Sequence, residues 1–181
     1  MKVQRSAIPD VLVIEPKVFG DARGYFFESY NRRAFAQATG VDVEFVQDNH
    51  SRSARNVLRG LHYQVHKAQG KLVRVLQGEI WDVAVDLRRS SPTFGKWVAE
   101  TLTAESKRAI WIPPGFAHGF LVASDAAEVH YKATDYYAPE HERTLLWNDP
   151  ALAIPWPLAG EPILADKDRR GAPLARAGTY E

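Results

Sequence analysis

KLVRVLQGEIWDVAVDLR, residues 71–88, decides the fold class. Two runs of alternating apolar and polar side chains, rich in β-branched residues, flank Gln77-Gly78-Glu79. The stretch reads as two strands and a short glycine turn, and a hairpin is expected. On the second run Trp81, Val83, Val85 and Leu87 share one face, while Ile80, Asp82, Ala84 and Asp86 share the other, because strand side chains alternate. Outward from this stretch the same punctuation of Val-, Ile-, Trp- and Tyr-rich runs by Gly, Pro, Asn and Asp continues. It predicts strands at 43–48, 57–64, 96–102, 109–112, 118–123 and 127–136, hence an all-β sandwich or barrel. Helix is minor. NRRAFAQATG (31–40) carries Asn31 as N-cap and Gly40 as stop, and a second short helix is expected after Asp166 or Asp168. The proline-dense IPWPLAGEP (154–162) follows the strands and crosses the surface, either as a plain connector or as the carrier of Asp166-Lys167-Asp168 into a site.

With 181 residues, 45% of them hydrophobic and 11% aromatic, the chain suits one packed domain spanning 1–181. Its 23 basic and 22 acidic residues leave a net charge of +1 and form no run that would track a phosphate backbone, so no nucleic-acid partner is expected. Cysteine is absent, which removes disulfides and thiolate metal sites. MKVQRSAIPDVLV has no apolar core with a small-residue cleavage site, and no apolar run approaches the roughly 20 residues that span a bilayer. A cytoplasmic protein without a membrane partner is the expectation.

Two short motifs carry the chemistry. RGLHYQ (59–64) contains G-x-H-x-Q, and PPGFAHGF (113–120) contains P-x-G-x-x-H. Together they resemble the paired motifs of cupins, whose double-stranded β-helix, or jelly roll, is the fold implied here. Metal-binding cupins carry H-x-H in the first motif, a later carboxylate and a third histidine in the second. Gln64 replaces the second histidine, and a neutral amide is a poor ligand for a transition metal, so only His62 and His118 remain and no metal is expected. His62 is then open to two readings: a base titrating near neutral pH, or a core histidine with satisfied hydrogen bonds. Geometry adds a condition. On a regular strand Arg59 and His62 face opposite ways, and they reach one pocket only if Gly60 permits a bulge or twist.

Longer words extend the likeness. FGDARGYFFESY (19–30), QDNHSRSARNVLRGLHYQ (47–64), QGKLVRVLQGEIWDVAVDLR (69–88), IPPGFAHGF (112–120), VHYKATDYYAPEHE (129–142) and LADKD (164–168) together strongly resemble the dTDP-4-dehydrorhamnose 3,5-epimerases, in order and over nearly the whole chain. That resemblance implies a metal-independent isomerase without a cofactor, a dTDP-linked 4-keto-6-deoxyhexose as substrate, and a homodimer. In such a sugar the C4 carbonyl acidifies the protons at C3 and C5. Inversion needs a base on one face, an acid on the other and a positive group or donor at the enolate oxygen. The resemblance implies His62 as base, Asp168 as the carboxylate that orients it, Tyr131 as acid and Lys71 as enolate support. It also implies Arg59, Lys167, Gln47, Asn49, Ser51, His118, Tyr137 and Glu142 as substrate-binding groups, with Arg23, Phe26 and Glu28 serving a neighbouring subunit.

Each has a plainer reading: Asp168 a helix N-cap, Tyr131 a packing aromatic, Lys71 a solvated strand-end charge, and 19–28 a surface hairpin. Three phenols in HYKATDYY compete as acid, and parity on a continuing strand would group Tyr131 with Tyr137 and set Tyr136 apart. VHKAQGK (65–71) departs from the family's proline-containing approach, and Asn56 stands where the family commonly has glycine, a position asparagine tolerates at positive φ. Rival readings are a single-centre epimerase or ketoisomerase, a metal-dependent cupin and a sugar-binding module.

Overall fold

The computed structural model describes residues 1–181. One antiparallel sheet runs in the order β1 (Lys2–Arg5), β2 (Leu12–Glu15), β10 (Ala109–Ile112), β7 (Lys71–Gln77), β12 (Ala126–Ala133) and β5 (Gln47–Ala54). The other runs β13 (Glu142–Thr144), β6 (Leu58–Gln64), β11 (Phe116–Val122), β8 (Glu79–Asp86) and β9 (Trp97–Thr103). A separate ribbon pairs β3 (Phe19–Asp21) with β4 (Gly24–Phe26). This is the two-sheet jelly roll that the cupin resemblance implies.

The expected hairpin at 71–88 does not form. β7 and β8 are strands, but they belong to different sheets, and Gly78 turns the corner between them. Its φ is 76°, and a Cβ there would lie 2.1 Å from the Ala126 carbonyl oxygen, so only glycine fits. Alternation fixes which side chains share a face but not which strand lies alongside, and a crossover reads like a hairpin.

The predicted faces of β8 hold. Ile80 and Ala84 join Val73, Val75, Leu102, Ile110 and Phe120 in the core between the sheets. Val83, Val85 and Leu87 look outward and are covered by Leu152, Ile154 and Trp156. The proline-dense run therefore crosses the outer face of the second sheet as a packed strap. Trp156 donates from its ring to the Trp147 carbonyl at 2.8 Å, and each large apolar side chain buried there contributes about 1.5–3 kcal/mol.

α1 (Arg32–Thr39) has the predicted ends: Asn31 Oδ1 accepts from the Ala34 amide at 3.0 Å, and Gly40 closes the helix at φ 76°. Its Phe35 stacks edge-on against Trp111 and Phe45. The strand expected at 43–48 instead spans Gln47–Ala54. Val43 and Phe45 are apolar because they pack on the Phe35 cluster as loop, whereas the strand that follows is almost wholly polar. The run expected at 127–136 ends at Ala133, so parity along a continuing strand does not relate Tyr131 to Tyr137.

Candidate active site

A cavity of about 640 Å³ opens between the sheets, lined from β5, β12 and β7 on one side, β6 and β11 on the other, and residues 163–168 at its end. Two glycines bring the decisive side chains to it. His118 pairs with His62 across β11 and β6, but two residues later Phe120 pairs with Arg59, so β6 has one extra residue. That bulge resets the parity, and Arg59 and His62 line the same cavity, so the condition set by the sequence is met. Gly60, at φ 119°, and Gly119 allow the close crossing: a Cβ on Gly60 would sit 2.6 Å from Gly119 Cα. Arg59 is steadied by donating from Nε to Ser53 Oγ at 2.9 Å.

Asp168 arrives from the other end of the chain. The Ile163 amide donates to the Asn56 carbonyl at 2.9 Å and its carbonyl accepts from the Leu58 amide at 3.0 Å, which laces the strap to the start of β6. Asn56 makes the turn at φ 64° and donates from its side chain to the Glu161 carbonyl at 2.6 Å. The following α2 (Asp166–Arg169) has Ala165 at its N-cap, so Asp168 is not a cap. Its carboxylate is 2% exposed and lies 2.5 Å from His62 Nε2. The ring therefore donates from Nε2–H and keeps Nδ1 free to accept a proton. Burial pushes the His62 pKa below its ordinary value, Asp168 opposes that, and Lys167 and Lys71 reinforce it. That direction favours the neutral ring, the form a base needs.

Lys71 is buried at 8% exposure, with Nζ 3.4 Å from the His62 carbonyl oxygen, to which it donates. Burial lowers its pKa to about 8, against the pull of Asp82 and Glu142. This is not the solvated strand-end charge that the bare sequence allows. Behind it His118 Nε2 meets Asp82 Oδ2 at 2.7 Å, and Asp82 Oδ1 has no partner. Asp82 is a site-adjacent carboxylate that sequence reasoning missed, although an acid within a buried alternation was the signal for it.

Tyr131 lines the cavity, and burial, then the nearby Glu142, raises its pKa, so the phenol keeps its proton. Tyr137 stands at the mouth and donates to Glu142 Oε2 at 3.2 Å, while Lys167 Nζ donates to Glu142 Oε1 at 2.9 Å. Tyr136 is 63% exposed and outside the cavity. Gln47, Asn49 and Ser51 project inward at alternate positions of β5. Gln64 is not idle where metal cupins have histidine: its amide donates to the Lys67 and Tyr136 carbonyls and accepts from the Ala138 amide.

Arg23, Phe26 and Glu28 are not brought to this cavity within the chain. They lie on or just beyond the exposed β3–β4 ribbon, where Arg23 pairs with Asp21 and Glu28 accepts from the Asn31 side chain at 3.2 Å.

A family model described as dTDP-4-dehydrorhamnose 3,5-epimerase matches residues 5–176. The chain belongs to that family. Among curated members of this epimerase family, the dTDP-4-dehydrorhamnose 3,5-epimerase of Pseudomonas aeruginosa is 65% identical over 180 residues, covering 99% of both chains. The Legionella pneumophila dTDP-6-deoxy-D-glucose-3,5-epimerase, solved in complex with dTDP-4-keto-L-rhamnose, superposes with a TM-score of 0.95 at 50% identity, covering 97% of this chain and 93% of that one. A 3'-monoepimerase from Streptomyces bikiniensis, solved with dTDP-quinovose, superposes at 0.89 with 35% identity, covering 97% of this chain and 88% of that one.

Proposed function

We propose that the chain converts dTDP-4-dehydro-6-deoxy-D-glucose to dTDP-4-dehydro-L-rhamnose by inverting C3 and C5, without metal or cofactor. The observation that carries this reading is His62, held by a buried Asp168 at 2.5 Å, in one cavity with Tyr131 and the buried Lys71 side chain. His62 Nδ1 takes the proton from carbon, and the C–H electron pair moves into the ring to give the C4 enolate. Lys71 supports the oxygen charge, in a site where a fixed positive group counts for more than in water. Tyr131 returns a proton to the opposite face as the enolate collapses. Asp168 stabilises the imidazolium meanwhile.

Arg59 and Lys167 suit the diphosphate by fork and point charge respectively, and the amides and hydroxyl of Gln47, Asn49 and Ser51 suit the nucleoside. His118, Tyr137 and Glu142 line the same cavity, and we assign them to the sugar. A homodimer is part of the proposal: the exposed aromatic ribbon, with Phe26 at 71% and Tyr25 at 61% exposure, is an arm suited to complete a neighbour's site with Arg23, Phe26 and Glu28. No helix is long and apolar enough to cross a membrane, and the cytoplasm is the proposed location.

The 3'-monoepimerase likeness gives a second reading, inversion at one carbon only. Proton NMR in D₂O separates the two. Deuterium at C3 and C5 with an L-rhamno product supports double inversion, deuterium at one carbon supports the second reading, and no exchange with this substrate refutes both.

A further inference from the structure

Residues 134–138 leave β12 and lead to the 3-10 turn at Pro139–His141, and no strand pairs with them. Their backbone groups still need partners. Thr134 is tied to Gly70, its amide donating to the Gly70 carbonyl at 3.0 Å and its hydroxyl accepting from the Gly70 amide at 2.8 Å. Beyond it the Tyr136 amide donates to Asp135 Oδ1 at 2.7 Å, and every grip from outside the segment is a glutamine. Gln69 Nε2 donates to the Asp135 carbonyl at 2.7 Å, and Gln64 Nε2 donates to the Tyr136 carbonyl at 3.3 Å. Gln47 Oε1 accepts from the Tyr137 amide at 2.9 Å, and Gln64 Oε1 accepts from the Ala138 amide at 2.9 Å.

Gln64 thus holds the chain on both sides of Tyr137. It is 4% exposed, and its second donor bond, to the Lys67 carbonyl at 2.7 Å, fixes its own orientation so that the amide cannot flip without losing three bonds. The phenol it positions is 52% exposed and would sweep the cavity mouth if its backbone were free.

We propose that Gln64 is a positioning residue: with Gln47 and Gln69 it clamps 135–138 so that the Tyr137 phenol stays against Glu142 at the mouth of the sugar site. This rests on reading the cavity as that site. Gln64→Glu tests it, because the carboxylate keeps volume and acceptor but sets an oxygen against the Tyr136 and Lys67 carbonyls. Amide hydrogen exchange at Tyr137 and Ala138 should quicken at least about tenfold while the β6–β11 ladder keeps its protection. KM should rise about tenfold, as for one or two lost net hydrogen bonds, with deuterium uptake at saturating substrate unchanged within about threefold. In a Tyr137→Phe background the same change should add less than about twofold to KM.

Unchanged protection overturns the clamp. So does an equal KM effect in both backgrounds, or a saturating exchange rate that falls with kcat/KM, which would mean action through His62. If Gln64→Glu does not fold, Gln69→Leu removes one grip from a half-buried site and must shift protection and KM in the same direction. A wild-type chain that exchanges no sugar proton refutes the proposed reaction, and amide exchange still decides the clamp.

Discussion

Asp168→Asn removes a charge from the site while keeping its shape, and the geometry sets the size of the effect. The carboxylate is 2% exposed and accepts from His62 Nε2 at 2.5 Å, so water does not screen the pair. A hydrogen bond to a charged group contributes roughly 1.5–3 kcal/mol, and that support is fully engaged only when His62 holds the abstracted proton. At about 1.4 kcal/mol per tenfold, its loss lowers the rate about 10- to 100-fold. An asparagine that presents its NH₂ to the ring would also invert the tautomer and occupy Nδ1, deepening the loss toward about 10⁴.

Deuterium uptake and inversion should fall together, because both follow the same abstraction. The pH profile supplies the second measurement. In the wild type His62 must be neutral to act, and burial already sets its pKa below 6.5, so kcat/KM rises with pH along a limb centred below that value. Asp168 is the main group opposing that depression, so the Asp168→Asn substitution should move the acid limb to still lower pH. A limb that moves up, or a loss under about threefold at the plateau, refutes the dyad.

Lys71→Met should lower exchange by about 10²–10³-fold and abolish the fall in kcat/KM expected of the wild type as pH rises through about 8. It should also raise Tm by roughly 3–10 °C at pH 7, since it removes a buried charge. The sign is fixed by linkage: the unfolded lysine binds more protons between about 8 and 10.5, so this group's contribution to stability rises with pH across that window. An unchanged pH profile refutes the assignment. Tyr131→Phe should cut inversion by about 10²–10⁴ while solvent exchange partly survives, and equal loss of both assigns Tyr131 to binding. Gly60→Ala forces a side chain into φ 119° and a 2.6 Å contact with Gly119 Cα, and should cost about 3 kcal/mol or more by urea denaturation; under about 1 kcal/mol refutes the crossing. Arg23→Ala should weaken dTDP binding by calorimetry although Arg23 lies outside its own chain's cavity, and full affinity with a one-chain mass by light scattering removes the proposed arm.

Local signals carried most of the fold. The caps of α1, the positive φ at Asn56 and the division of β8 into two faces each depend on a few adjacent residues, and each was readable. Sheet membership was not, because nothing in 71–88 says whether β7 and β8 pair or part. The answer lies in the Ala126 carbonyl beside Gly78, 48 residues further along. The dyad had the same character. His62 and Asp168 are 106 residues apart, and only the family likeness joined them before the strap at 154–163 was seen to deliver one to the other.

The remaining errors cluster at the cavity, for a physical reason. β5 alternates faithfully, with Gln47, Asn49, Ser51 and Ser53 inward and Asp48, His50 and Arg52 outward, but both faces are polar. Its inward face meets a water-accessible cavity and its outward face pairs with Glu128 and Lys132, so the apolar signal by which a strand is recognised is missing where the site begins. Asp82 is the converse case, a charge kept inside an apolar alternation by His118. Local rules are broken where a site is built. A polar strand flanking a G-x-H motif, and a carboxylate on the inner face of a buried strand, are therefore the positions at which a fold prediction should be expected to yield to chemistry.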